Sequence, residues 1–326
     1  MIGKHGVVRD IALIRAAVSG GGYAVIGALT GYNQGRILNC SSSGSIHGGQ
    51  PNPRVGGLVG INDTSGKIIG SSSTASVSGG NLADIGGLVG DSSGLIEDSH
   101  AGGPVTGSVS SVAGGLVGFA NGTILTSSAT GDISTSGGSP SNSNVGGLVG
   151  INEGHIRLSF ATGHAKGSFP RDGHHASGVG GLVGGNGGSI LNSYATGGSS
   201  FRSTPGDAFK TSAFVGGLVG QTGGTISTSY ASGPVETDPD SEFSGGFTGV
   251  ANINYSQIAE AYWDLDTSGI SNPHQGAGEP LDDPGITGLT DAQLKSALPA
   301  GFDPNVWSQS AGINNGWPYL LANPPQ

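Results

Sequence analysis

Carboxylates, histidines and aromatics are the residues here whose types could do chemistry, so their spacing comes first. Cleaving a glycosidic bond needs two carboxyl groups about 5 to 10 Å apart. Asp63, Asp91 and Glu153 each follow a glycine-rich block, at positions where Asn and Asp are favoured simply as turn formers. The densest acidic run, Glu236, Asp238, Asp240 and Glu242, reads as a solvated loop insertion, and Asp264 and Asp266 suit a turn or cap as well as a ligand. Four histidines, His155, His164, His174 and His175, lie close in sequence but lack metal-ligand spacing, and neither HExxH nor GxSxG occurs. No catalytic residue, metal or cofactor is assigned, and an enzyme is the less favoured reading. The remaining candidate is a column of aromatics, Phe160, Tyr194, Tyr230 and Tyr262, which could receive sugar rings or stack on one another for stability.

That column exists only because the chain repeats. GGLVG resembles a phosphate-binding loop when met once, but its leucine recurs at Leu58, Leu88, Leu116, Leu148, Leu182 and Leu218, with degenerate copies at Leu29 and Phe247. A second block places isoleucine at 37, 68, 96, 124, 156, 190, 226 and 258, and three residues later a small residue, Cys40, then Ser71, Ser99, Ser127, Ser159, Ser193, Ser229 and Ala261. The aromatics directly follow the last four of these. A third, weaker block centres on Val77, Val105, Ile133 and Val235. Three short strand-like blocks in units of about thirty residues predict a right-handed parallel β-helix of eight coils, stacked about 4.8 Å apart. In such a coil the leucine faces a narrow core and the glycines permit a tight corner. Alternation along the strand points the aromatics outward, because their neighbours Ser159 and Ala161 are small and face in. Cys40 reads as a buried small residue rather than a nucleophile.

Composition agrees. With 66 glycines among 326 residues and 34% hydrophobic residues, the chain suits a thin repeated core better than one large core. A net charge of −10 with only 12 Lys and Arg disfavours nucleic acid. No apolar run is long enough to insert in a membrane, and Met1 to Gly20 does not read as a signal peptide.

The repeated GGLVG followed by N/D-x-G-x-I-x-x-S, over about residues 7 to 262, resembles the GLUG motif of bacterial surface and secreted proteins, including filamentous-haemagglutinin-like exoproteins, adhesins and non-catalytic parts of some immunoglobulin A peptidases. The resemblance implies a structural or adhesive segment of a longer chain, extracellular or on the cell surface, facing a host or environmental surface and its glycans. A polysaccharide-degrading enzyme and a non-catalytic carbohydrate-binding module are the alternatives. Residues 263 to 326, which hold Trp263, Trp307 and Trp317, resemble the segment that closes such arrays; they are expected to form a cap with a short helix over DAQLKSAL, leaving 1 to 262 as the solenoid.

Overall fold

The computed structural model describes residues 1–137, 143–170, 176–204, 212–238, 243–252 and 254–325. The chain is a parallel β-solenoid of about eight turns. In one coil, Arg54–Gly56 and Val59–Asn62 flank the glycine block, Lys67–Ile69 holds the isoleucine, and Ser72–Ser73 and Ser76–Gly79 complete the turn. Each strand pairs in parallel with its counterpart in the next coil, so Val55 sits beside Ile85, Ile68 beside Ile96 and Val77 beside Val105. An eight-stranded sheet runs from Val25–Gly27 to Phe243–Gly245, and a nine-stranded one from Thr30–Asn33 to Ala277–Glu279. The remaining coil strands form a third sheet.

GGLVG is therefore a corner rather than a strand. It joins the first two sheets, with the leucine fully buried from Leu58 to Leu218, Phe247 buried in its place on the last copy, and Leu29 partly buried on the first. A Cβ on Gly57 would collide with the Gly87 carbonyl oxygen of the next coil; Gly87, Gly115, Gly147, Gly181 and Gly217 meet the same obstacle, and Gly246 meets the Trp263 ring. A second corner left no common residue in the sequence. It falls between the isoleucine and the serine, at Asn39, Gly70, Asp98, Thr126, Leu158, Asn192, Thr228 and Glu260, all left-handed with φ between 44° and 61°.

The serine next to that corner does more than fit. Ser71 Oγ accepts the Cys40 N–H of the preceding coil at 3.1 Å and donates to its own coil's Ile69 carbonyl at 3.1 Å. Ser99, Ser127, Ser159, Ser193 and Ser229 repeat the arrangement, so each hydroxyl satisfies a backbone donor that the bend removes from the ladder. Cys40 heads this ladder, 1% exposed. A buried amide ladder follows the second sheet: Asn33 Nδ2 donates to Asn62 Oδ1, and Asn152 Nδ2 to Asn186 Oδ1, both at 2.8 Å.

Coil pairing continues beyond residue 262. Gln257–Asp264 pairs with Ile286–Leu289, and Thr248–Ala251 with Ala277–Glu279. Trp263 falls in the column occupied by Ala161, Ala195 and Ala231, and its larger ring fills the end of the core. The chain leaves the coil at Thr290, where a capping box with Gln293 starts the expected helix, Asp291–Ser296. The segment that follows runs back along the flank of the solenoid as a strap, with Trp307 and Trp317 in it.

Candidate functional site

The strap lies on the aromatic column. Phe160, Tyr194, Tyr230 and Tyr262 stand in strict register on successive coils. Phe160 and Tyr194 stack with centroids 4.9 Å apart, and Tyr194 and Tyr230 at 5.1 Å, each pair inclined by only 6°. The rings point away from the coil interior, as alternation requires, yet none is more than 8% exposed. Leu294, Phe302, Trp307 and Leu320 cover them, forming a second apolar core outside the coil. A sugar-stacking face needs accessible rings, so the glycan stripe expected at Phe160, Tyr194, Tyr230 and Tyr262 is not open in this structure. The reason is hydrophobic: four aromatics on successive coils are a large apolar patch, and the chain buries it with its own residues.

Polar contacts fix the strap's path. Tyr230 donates to the Pro318 carbonyl at 2.6 Å and accepts from Asn314 Nδ2 at 2.7 Å, while Tyr262 donates to the Ala300 carbonyl at 2.8 Å. Trp307 Nε1 donates to Asn192 Oδ1 at 3.3 Å, and Asn323 Nδ2 donates to the carbonyls of Ser127 and Leu158. Among the described residues, the Tyr194 hydroxyl is buried without a partner. Burial disfavours the phenolate and holds the pKa of Tyr194 and Tyr230 far above the usual phenol range.

At the strap's root, YWDLD has structural work. Asp264 Oδ1 accepts the N–H groups of Asp266 and Thr267, and Asp266 Oδ2 accepts the Asp291 N–H at 2.9 Å. Asp291 in turn accepts from Lys295 Nζ and Trp317 Nε1, both at 2.9 Å. Burial raises the Asp264 carboxyl above its ordinary value; the bonds from Lys295 and Trp317 hold Asp291 below its own, against the opposite pull of desolvation.

The other sequence candidates disperse. His155 is exposed, with Nδ1 2.7 Å from Ser189 Oγ, and His164 bonds Ser200 Oγ at 2.8 Å. His174, His175, Asp240 and Glu242 lie outside the described residues. Glu236 is exposed on a short strand, and Asp238 accepts from Ser203 Oγ at 2.6 Å. Asp63 is held low by its bonds from Gln34 and the Thr64 N–H. No group of three His, Cys, Asp or Glu among the described residues could hold a metal ion.

One arrangement escaped sequence reasoning. Outward residues of the first two sheets face each other across the GGLVG corner, where Asp84, Asp91 and Arg54 meet. Asp91 is on a strand, Val89–Ser92, rather than in a turn. Burial pushes the Asp84 carboxyl up to about 6, against the pull of Arg54, whose Nε is 3.1 Å away, and Asp91 adds to the rise. Burial raises Asp91 as well, again against Arg54. The only sequence signal was that both positions are outward in their strands.

The GLUG motif is matched by residues 52–78 and 175–200, two of the units of this solenoid. These units share their columns and corners with the others, which makes the class a parallel β-solenoid with a GLUG-repeat region. No curated protein and no solved structure matches the chain.

Proposed function

We propose that the chain is a structural and adhesive segment of a secreted or surface-exposed bacterial exoprotein, a rigid stalk that holds a binding surface toward a host or environmental surface. The observation that carries this reading is continuity. Main-chain ladders run from coil to coil along three sheets, with one register shift between Leu13 and Ala16 on the first coil, and a strap ties Ser127 to Tyr262 along the flank. Such a body resists bending because each coil is bonded to its neighbours along three sheets.

Carrying a membrane anchor at its N-terminus and a fluorescent epitope at the exposed Leu281 of the last coil, the chain should lift the epitope by roughly 40 Å, about 4.8 Å for each coil. Energy transfer to a membrane dye measures that height, and an epitope no higher than one on a flexible linker would reject the stalk. A polysaccharide-degrading reading draws on the Asp84 and Asp91 carboxyls. Arg54 already neutralises Asp84, which leaves that pair a better account as a structural ion cluster.

A further inference from the structure

A single coil breaks the outward column of the second sheet. Every other coil carries a side chain there, Ile151 on the preceding coil and Gln221 on the following one, but the intervening coil has Gly185. The missing side chain opens a cleft of about 320 Å³, within the usual range for small-ligand sites. Asn144 reaches it from the first sheet, 6% exposed, and its Oδ1 accepts from Gln221 Nε2 at 3.3 Å. Glu153 lies at one side, over Gly187, and Ile151 and Val250 supply partly exposed apolar wall.

We infer that the Gly185 cleft is a binding site for one neutral saccharide unit of a glycan chain. Four amides, Asn144, Asn186, Gln221 and Asn252, and the Glu153 carboxylate line the cleft and provide both donors and acceptors, as vicinal hydroxyls require. The apolar walls match the C–H faces of a sugar ring. No Lys or Arg lines the cleft, so it does not suit sulfate, phosphate or a sialic acid carboxylate, and one carboxylate is too few for a divalent cation. The Asn144 and Gln221 amides stand on strands rather than on loops, which holds their geometry. This inference rests on the adhesive part of the reading above, but not on the stalk's height, which is measured without any ligand.

The test is binding of the whole chain to an array of neutral glucans, galactans and mannans, with sialylated and sulfated glycans alongside. Retention of a neutral glycan is expected, weakened at least tenfold by Gly185→Ile, which installs the residue the same column carries at Ile61 and Ile151. The nearest neighbours of a Cβ at Gly185 are side-chain atoms, Asn144 Oδ1 at 3.2 Å and the amide of Gln221 at 3.6 Å, so the Asn144 amide gives by a few tenths of an ångström and no backbone atom stands in the way. Gln221→Ala, which fills nothing, should also weaken binding while leaving the β-sheet circular dichroism unchanged. Retention of charged glycans alone, binding insensitive to both substitutions, or no neutral glycan retained would each overturn the assignment.

Discussion

Tyr194 and Tyr230 stand one coil apart in the same ring stack and differ in what their hydroxyls meet. Tyr230 is bonded to Pro318 and Asn314, whereas the Tyr194 hydroxyl is buried with no partner among the described residues. A buried unsatisfied hydroxyl costs about 1–3 kcal/mol, and removing it recovers part of that. Tyr194→Phe should therefore raise the denaturant midpoint. Tyr230→Phe should lower it, with a loss of about 1–3 kcal/mol in unfolding free energy, because it strands the Pro318 carbonyl and an Asn314 donor. If the two substitutions moved stability in the same direction, stacking alone would govern the column and the strap's polar contacts would be irrelevant. That the rings form a column was legible in the sequence, since their places after the serine repeat coil by coil. Their burial was not, because alternation reports which side of a strand a residue takes and is silent on what covers that side.

At the scale of the element, the left-handed corner separates columns that can be read from those that cannot. The leucine, isoleucine and serine columns were readable because each makes the same contact in every coil, and the same contact selects the same residue. The corner at Asn39, Gly70, Asp98, Thr126, Leu158, Asn192, Thr228 and Glu260 is defined by a backbone angle, which several residues adopt at different cost. Thr228 bears the greatest burden: it is β-branched at φ 44°, and its hydroxyl is buried without a partner. Thr228→Gly removes strain of about 1–2 kcal/mol and the orphaned hydroxyl, against an entropic cost for glycine of about 1 kcal/mol. The expected result is a gain of about 1 kcal/mol in chemical denaturation. A loss would mean that the threonine methyl packs more tightly than the strain costs.

For the whole molecule, the strap was the part least visible in the sequence. Its contacts are made once instead of being repeated, and they span long separations: Asn323 reaches Ser127 across 196 residues. The solenoid does not depend on it for main-chain pairing, because the ladders close coil on coil up to Leu289. Ending the chain at Leu289 should therefore leave the parallel sheets intact and strip the cover from Phe160, Tyr194, Tyr230 and Tyr262. Three outcomes are expected together: strong binding of a hydrophobic dye, association of the truncated chains through the bared rings, and faster hydrogen exchange confined to the coils between Ser127 and Tyr262. Trp263 would be the one tryptophan left, and its emission should stay that of a buried ring, since it packs inside the coil end rather than under the strap. Exchange accelerated in every coil would show that the strap holds the entire solenoid together. Truncation with no change in dye binding would show that the aromatic column is not exposed by the strap's removal. The predicted pattern lies between these, and it would establish the flank of the later coils as a separable layer whose removal leaves the solenoid with an aromatic face.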